Sequence, residues 1–387
     1  MKTYLLHLFF YCVLVSCEAS RGNNNQQESQ PDPLLVCLDQ LMDSLYHQQN
    51  FHGSILVAES QKIRFHKSIG LADRNWKIPL RNDHVMDIAS LNKSFVAGLC
   101  LIAGQEGKLN LEDDLHSLLL SVKIPNTFDP AITVHQVLFH TSGIADYCQL
   151  EDKYREDNFR RFKRSHFEGK AYVEFISALP TVGEVGKQFH YSNFGYHALS
   201  VLLEALYQMP FEDLLIKKIC QPLGLGHTFA STDNTEIIPQ LAKGYQLDQE
   251  GNWHQNDFID LTLGRRIFSN GNDLLLWSNA MNKEGLFSEK SLQLMKQNHV
   301  GDINPEISYG YGWAVFGPYD DFQMGNLETD WPYIIHGGHT EGYKSLLINI
   351  QNGKWTIILQ ANTGNQVNEM SIGNHIVQLI KEVAYAS

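Results

Sequence analysis

The chain carries few positive charges for its length. Lysine and arginine together number 30 of 387 residues, against 43 aspartate and glutamate residues, and the formal net charge is −13. Proteins that bind the phosphate backbone of nucleic acids need a basic face, which this composition does not supply. The short basic run at residues 160–164 is typical of a solvated loop or helix face. The sequence therefore predicts no nucleic-acid partner.

Cysteine is also scarce. The 6 cysteines include Cys17 near the N-terminus and Cys37, Cys100, Cys148 and Cys220 in the rest of the chain. Their spacings match no zinc-binding pattern. They are also too few for disulfide bonds to be the main stabilisation of a chain of this length. We expect no metal and no cofactor. A disulfide remains open, because the sequence does not select a pair.

Patterns that define several other protein classes are missing. No internal repeat is present, and no apolar stretch beyond the N-terminus is long enough to cross a bilayer. The chain also lacks a GxSxG sequence, the nucleophile elbow of α/β-hydrolases, so that class of enzyme is a less favoured alternative. The composition of the chain, 43% hydrophobic and 19% charged residues, is that of an ordinary globular protein.

The N-terminal segment has the features of an export signal. Lys2 precedes an apolar stretch, Tyr4–Val15, that is too short to span a bilayer comfortably. Because residues 14–17 (LVSC) resemble a bacterial lipobox, residues 1–17 are predicted to be a lipoprotein-type signal peptide with Cys17 lipidated. An ordinary signal peptide with an incidental cysteine is the alternative. We expect an exported protein, periplasmic or at the cell surface, attached to a membrane through its lipid.

A change in composition follows this segment. Residues 18–35 are predicted to be a flexible tether, because they are mostly polar, rich in Asn and Gln, and without apolar periodicity. Residues 36–385 are predicted to form the folded domain. Within it we expect a sheet subdomain at about 36–85 and 290–385 and a helical subdomain at about 86–289.

Strand signals lie at the two ends of this domain, and helical signals lie between them. The pattern predicts strands at residues 53–58, 62–66, 333–335, 344–350 and 354–359, and helices at 94–105, 196–207, 211–219 and 372–384. The economical arrangement is an α/β (α+β) fold, in which an antiparallel sheet from both chain ends is flanked by helices and a mostly helical middle domain. A functional cleft is expected at the junction.

The first motif with catalytic potential is Ser90-Leu91-Asn92-Lys93, an SxxK at the start of a predicted helix. Residues three apart lie on one face of a helix, so Lys93 can accept the Ser90 proton if burial lowers the lysine pKa. The alternative is a helix cap at Ser90 with a surface lysine. SxxK alone is a weak signal.

The second motif is Tyr191-Ser192-Asn193. A phenol can shuttle protons, and an amide can both donate to and accept from a substrate amide. Taken in isolation, this segment is more typical of a turn before a helix.

The third motif runs from His336 through Gly337, Gly338 and His339 to Gly342. Glycines beside a strand allow a ligand or another backbone to approach closely. A glycine-rich turn is the simpler interpretation, and a metal site at His336, His339 and Glu341 is disfavoured because its spacing is unlike HExxH.

Taken in this order, the motifs resemble those of the serine β-lactamase and penicillin-recognising family. Further segments resemble the family's recurring ones and extend the likeness over roughly residues 36–385; they lie at 53–58, 107–114, 138–144, 191–196, 222–226 and 311–313. The resemblance implies a β-lactamase/transpeptidase-like fold. The YxN form of the second motif is closest to the branch that includes class C β-lactamases, D,D-peptidases and related esterases.

That resemblance implies a role for each motif. Ser90 would form an acyl-enzyme, and Lys93 and Tyr191 would exchange protons with it, with the formal base left open. Asn193 would bind the acyl-side amide of the substrate. The backbone N–H groups of Ser90 and His339, beside Gly338, would hold the oxyanion.

The sequence departs from the family pattern at the third motif. Where KTG offers an ammonium and a hydroxyl to a substrate carboxylate, this chain has His336 and Gly337. An unperturbed imidazole is mostly neutral at pH 7, which disfavours efficient β-lactam hydrolysis. The sequence thus predicts a serine hydrolase acting on an ester, an amide or a D-amino-acid peptide, with β-lactamase or D,D-carboxypeptidase activity still open. A non-hydrolytic penicillin- or peptidoglycan-binding lipoprotein is the alternative.

Overall fold

A computed structural model of the chain describes residues 32–147, 169–231, 233, 236–256, 265–316, 327–340 and 342–384. The predicted signal peptide with Cys17, most of the predicted tether, Cys148 and Glu341 lie outside these residues. Within the described part, Cys37, Cys100 and Cys220 are free thiols.

Both ends of the chain contribute to one antiparallel sheet of six strands, as predicted. The strand order is β10-β11-β12-β13-β1-β2. The strands are β1 (Gly53–Glu59), β2 (Lys62–Ile69), β10 (Ala314–Phe316), β11 (Tyr333–Thr340), β12 (Tyr343–Ile350) and β13 (Trp355–Ala361). The predicted hairpin turn at residues 351–353 joins β12 to β13. Strand β10 was not predicted, and β11 continues five residues beyond its predicted end at Ile335.

The central strands of the sheet are buried on both faces. Along β1, Leu56 and Ala58 belong to the core shared with the helical region, whereas Ile55 and Val57 belong to a core on the opposite face. This alternation follows from the pleat, which points successive side chains to opposite faces. Both faces are covered by helices, so the strand is apolar throughout its centre.

The first and last helices form the layer on the Ile55 face. They are α1 (Pro33–Gln49) and α11 (Glu369–Ala384), and they pack against each other and against this face. Pro33 suits the first turn of a helix because its missing N–H has no intrahelical acceptor there. The predicted end of the tether was therefore wrong, since residues 33–35 are helical.

The middle of the chain is mostly helical and packs against the other face. Its helices are α2 (Asn92–Gln105), α3 (Leu115–Ser121), α4 (Val134–Leu138), α5 (Gly169–Ser177), α6 (Asn193–Tyr207), α7 (Phe211–Leu215), α8 (Gln221–Leu223), α9 (Gly271–Ala280) and α10 (Glu289–Lys296). The segment predicted as one helix at 211–219 is divided, because a π-helical turn, Ile216–Cys220, follows α7.

Short strands complete the described part. They are β3 (Leu71–Asp73), β4 (Ile78–Pro79), β5 (Met86–Asp87), β6 (Phe229–Ser231), β7 (Tyr245–Leu247), β8 (Trp253–Gln255) and β9 (Arg266–Ser269). Strand β9 pairs with both β5 and β6. The observed mixture of helices and antiparallel sheet confirms the predicted α+β class. Among the described helices, none is both long and apolar enough to cross a membrane.

Candidate active site

A tight turn presents Ser90 directly after strand β5. Residues Ala89–Leu91 form a 3₁₀ turn, and α2 begins at Asn92. Ala89 has φ +49°, a left-handed conformation that is costly for a residue with a Cβ. The turn is held by Asp87, whose Oδ1 accepts the Ala89 N–H at 2.8 Å and whose Oδ2 accepts Nε–H of Arg266 at 3.0 Å. A buried ion pair thus fixes the backbone that carries the serine.

Lys93 lies on the first turn of α2 and points back to Ser90. Its Nζ is 3.3 Å from Ser90 Oγ and 2.6 Å from Asn193 Oδ1, and the side chain is buried. Burial lowers the Lys93 pKa to about 7, although the carboxylate of Asp146 acts in the opposite direction. The alternative of a surface lysine beside a capping serine is wrong, because Lys93 is buried and Ser90 does not cap the helix.

Tyr191 is the second polar side chain in contact with Ser90. Its phenol hydrogen-bonds Ser90, and Lys93 Nζ lies 4.9 Å from the centre of its ring. Burial raises the Tyr191 pKa well above its ordinary value, although the hydrogen bond to Ser90 lowers it. The phenol is therefore neutral near pH 7. The hydroxyl, amine and phenol predicted to converge are brought together from distant parts of the chain.

His140 supports the segment that carries Tyr191. Its carbonyl accepts the His190 N–H at 2.7 Å, and its ring Nδ1 accepts the Ser192 N–H at 3.1 Å. The ring also packs on Tyr191, with the two ring centres 4.4 Å apart. Sequence analysis did not assign His140 a role, although it lies in the family-like segment at 138–144.

The helix after this segment places Asn193 beside Lys93. Ser192 is the N-cap of α6, where its Oγ accepts the Gly195 N–H. Asn193 is the first residue of the helix, and its Nδ2 donates to Asp146 Oδ2 at 2.9 Å. Asp146 was also missed. The only sequence signal for it is its position two residues after the segment at 138–144.

The third motif lies within β11 and passes the Ser90 turn at very close range. A Cβ at Gly338 would overlap the Ile88 carbonyl oxygen and would lie 3.0 Å from the Cβ of Ala89. Ser345, opposite Gly338 on β12, donates its hydroxyl to the same Ile88 carbonyl at 2.7 Å. Glycine is therefore required at position 338 for this approach. His339 follows it and is exposed.

Strand β10 runs along only the first part of β11. It pairs only with Tyr333 to Ile335 of β11. The edge of residues 336–340 that faces away from β12 is therefore not paired to β10. Residues of β11 also pack against the 3₁₀ turn that carries Ser90.

His336 forms a neutral pair with Tyr309. Its Nδ1 is 2.6 Å from the carbonyl oxygen of Gly337, and its Nε2 is 3.0 Å from the Tyr309 hydroxyl. A carbonyl oxygen only accepts, so Nδ1 carries the hydrogen and Nε2 accepts from Tyr309. Burial, together with the charge of Lys93, lowers the His336 pKa to about 4. The imidazole is thus uncharged at pH 7.

A metal ion has little support at this motif. His336 and His339 are three residues apart in a regular strand, which points them to opposite faces of the sheet. Across the residues that the structure describes, no group of three or more His, Cys, Asp or Glu could hold a metal ion.

The segment at 311–313 packs behind the lysine. Gly312 has φ +71°, and a Cβ there would lie 2.7 Å from the Lys93 carbonyl oxygen. Trp313 and Tyr311 on either side of it are buried in the main core. This glycine allows the loop to pack against the backbone of α2 and to hold the turn that carries Lys93.

Comparisons with known proteins show the family of this chain. A family model described as Beta-lactamase matches residues 38–380. Penicillin-binding protein 4* of Bacillus subtilis (strain 168) is 24% identical over 338 residues, which is 84% of this chain and 71% of that protein. Other curated relatives are 22% identical, and the chain spans only 64% of their length.

Solved structures share the fold at low sequence identity. EstCE1, a hydrolase with promiscuous acyltransferase activity, superposes with a TM-score of 0.74 at 18% identity, over 90% of this chain and 98% of that chain. The D-amino acid amidase from Ochrobactrum anthropi SV3, complexed with L-phenylalanine amide, has a TM-score of 0.72 at 20% identity, over 92% and 99%. These likenesses confirm the β-lactamase/transpeptidase-like fold that the sequence predicts.

Proposed function

The chain belongs to the Beta-lactamase family, and from that membership we propose that it is a serine hydrolase in which Ser90 forms an acyl-enzyme. The observation that carries the proposal is the 3.3 Å contact between Lys93 Nζ and Ser90 Oγ. With a pKa of about 7, a large fraction of Lys93 is neutral at physiological pH and can accept a proton.

Lys93 is the better candidate for the base that activates Ser90. Tyr191 would have to be a phenolate to accept the proton, and its raised pKa keeps it protonated near pH 7. The neutral amine of Lys93 takes the proton from Ser90 Oγ as the oxygen attacks the substrate carbonyl. Tyr191 can then donate its proton to the departing alkoxide or amine and recover one from Lys93.

The second half of the reaction returns the enzyme to its starting state. A water molecule gives a proton to the Lys93–Tyr191 pair and attacks the acyl carbon. The bond from that carbon to Ser90 Oγ breaks, and Ser90 regains its proton as the carboxylic acid leaves. Both halves use the same amine and phenol in opposite directions, which is usual for acyl transfer through a serine.

We assign the oxyanion site to the backbone N–H groups of Ser90 and His339. The close approach of Gly338 to Ala89 and the Ile88 carbonyl supports this assignment, because it brings the two backbones together. Donors fixed by a helix start and a strand need no reorganisation when the charge develops. Removing one such donor typically costs about 10²–10³ in rate.

The pair of His336 and Tyr309 supports a substrate without a carboxylate beside the scissile bond. Both ring nitrogens of His336 are used within the protein, and the ring is neutral at pH 7. It therefore offers no charge-assisted hydrogen bond of the kind a lysine offers to a carboxylate. An ester, an amide or a D-amino-acid peptide bond without this carboxylate fits better than a β-lactam or a terminal D-alanine.

The N-terminal sequence supports a location outside the cytoplasm for this activity. We propose that the chain is exported and attached to a membrane through a lipid on Cys17, since residues 14–17 resemble a lipobox. Metabolic labelling with a fatty-acid analogue should mark the wild-type chain and not the Cys17→Ser variant. Equal labelling of the two would exclude Cys17 as the lipidated residue.

A single set of measurements tests the hydrolase proposal. Purified protein should react with a fluorophosphonate probe at Ser90, and the Ser90→Ala variant should not. A panel of p-nitrophenyl esters, D-alanyl peptides, D-amino-acid amides and a chromogenic cephalosporin then ranks the substrate classes. Wild-type protein that is never labelled and yet binds muropeptides would support the non-hydrolytic alternative.

A further inference from the structure

A carboxylate, an amide and an amine form a continuous chain behind Ser90. Asn193 Nδ2 lies 2.9 Å from Asp146 Oδ2, and Asn193 Oδ1 lies 2.6 Å from Lys93 Nζ. Lys93 Nζ in turn lies 3.3 Å from Ser90 Oγ. Asp146 is therefore linked to the serine through two intervening side chains, those of Asn193 and Lys93.

The protein holds the Asp146 carboxylate in one place. Besides the Asn193 side chain, the backbone N–H groups of Tyr147 and Asn193 donate to it. It lies at the N-terminus of the 15-residue helix α6, where the helix dipole favours a negative charge. The side chain is only 8% exposed. Burial raises the Asp146 pKa, while these donors and Lys93 oppose that shift.

The two neighbours of Asn193 allow only one orientation of its amide. A carboxylate only accepts hydrogen bonds, so the NH₂ group must face Asp146. A protonated lysine only donates, so the oxygen must face Lys93. One Nδ2 hydrogen is used by Asp146, and the second is available for the carbonyl oxygen of a bound substrate. Without the carboxylate, nothing in this chain of contacts prevents the amide from turning over.

Asp146 also differs in charge from the other side chains around Lys93, because it is negative and they are neutral. Four aromatic side chains lie around the amine, those of His140, His336, Tyr191 and Tyr196. Both histidines are kept neutral, because burial lowers the pKa of each. Both tyrosines are kept neutral, because burial raises the pKa of each. Of the described groups acting on Lys93, Asp146 is the one whose charge favours the ammonium form.

We propose that Asp146 is a positioning residue of this active site, which orients the Asn193 amide toward Lys93 and places a negative charge behind the amine. This role rests on the proposed function of Ser90 and Lys93. It explains why an acidic side chain is buried next to a catalytic lysine in a protein that needs that lysine to lose its proton. The carboxylate limits how far burial can reduce the basicity of the amine.

The test is the pH dependence of Ser90 labelling by a fluorophosphonate probe. In the Asp146→Asn variant, the pH at which the labelling rate reaches half its maximum should fall by about 1 unit, because Lys93 loses a nearby opposite charge. The maximal rate should fall about tenfold or more, since the amine becomes a weaker base and Asn193 can turn. Asp146→Ser, which also removes the charge, should shift the profile in the same direction if the asparagine variant folds poorly.

Two further variants separate this role from a structural one. Asp146→Glu retains the charge and should keep the midpoint near that of the wild type. Asp273→Asn removes another buried carboxylate, which accepts hydrogen bonds from His227 and Thr228 outside the site. It is the matched control and should leave the profile unchanged.

The outcomes distinguish this proposal from the one on which it rests. Wild-type protein labelled at Ser90, together with unchanged midpoints in Asp146→Asn and Asp146→Ser, would overturn the role of Asp146 alone. A midpoint that shifts equally in Asp146→Glu or in Asp273→Asn would also overturn it, because charge and position would then not matter. Wild-type protein that is never labelled would overturn the hydrolase proposal, and the role of Asp146 with it.

Discussion

The Tyr309 phenol donates a hydrogen bond to Nε2 of His336 across 3.0 Å. This contact engages the nitrogen that a substrate carboxylate would otherwise need, and it fixes the imidazole in its neutral form. Where the KTG pattern has a lysine, this chain has a histidine that is held in an internal hydrogen-bonded pair. The state of His336 therefore depends on a residue that lies 27 positions earlier in the chain.

Replacing His336 with lysine is expected to improve binding of substrates that bear a carboxylate. His336→Lys supplies an ammonium in place of the neutral ring, and KM for such substrates should fall about tenfold. The His336→Gln variant can keep both hydrogen bonds without the charge and should not improve them. Steady-state kinetics on a matched pair of substrates, with and without the carboxylate, measures the effect. An unchanged or higher KM in His336→Lys would contradict our interpretation of this position.

Activity is expected to rise with pH as Lys93 loses its proton. The amine must be neutral to accept the Ser90 proton, and its pKa is about 7. The rate of acylation should therefore increase through neutral pH and level off above it. In Lys93→Ala the rise should disappear and acylation should slow by roughly 10²–10⁴-fold, with circular dichroism unchanged. Near-normal turnover in that variant would remove Lys93 from the mechanism.

The buried lysine should also affect stability in a defined pH window. The Lys93 pKa is depressed from its unfolded value of 10.5 to about 7 in the folded protein. Below pH 7 both states bind the proton, and the full cost of burying the charge is present. Between the two pKa values the unfolded state binds more protons, so stability rises with pH.

The Lys93→Met variant lacks this titration and provides the comparison. Relative to it, the wild type should gain roughly 2–5 kcal/mol of unfolding free energy between neutral pH and pH 10.5. Urea denaturation of both proteins at several pH values measures the difference. Parallel pH profiles for the two proteins would mean that Lys93 is not buried as described.

The close approach of Gly338 should make even a methyl group damaging. In Gly338→Ala the new Cβ would overlap the Ile88 carbonyl oxygen and Ser345 Oγ, and it would displace the turn that carries Ser90. A loss of about 10²-fold or more in acylation rate is expected. At Gly337 a Cβ would lie 3.6 Å or more from its neighbours, so Gly337→Ala should lose far less. Equal losses in the two variants would show that the contact at position 338 is not the cause.

The long strands at the two ends of the chain and the three motifs could be predicted because their signals are local. Hairpin turns at residues 60–61 and 351–353 delimit strands rich in Ile, Leu and Val, and each motif sits at the start of a helix or along a strand. The order of the three motifs along the chain then indicated the family, and the family implied the fold. The π-helical turn Ile216–Cys220 and strand β10 have no such local signal, because tertiary packing determines both.

The supporting residues of the site could not be predicted in the same way. Asp146 meets Asn193 across 47 positions, and His140 meets Ser192 across 52 positions. Such contacts depend on where the chain folds back, which no periodicity in the sequence encodes. The neutral tautomer of His336 likewise depends on Tyr309, and only the assembled site determines it.

Because β1 pairs with β13, the central sheet cannot be completed until nearly the whole chain has been synthesised. Gly53 to Glu59 lie against residues 355–361, so the strand that pairs with this edge of β1 is the last of the sheet to be synthesised, about 300 residues later. Until the ribosome has released that last strand, one edge of β1 exposes unpaired backbone groups to any passing extended chain. A protein shortened before Trp355 would therefore be expected to aggregate, even though it would contain Ser90, Lys93, Tyr191 and Asn193.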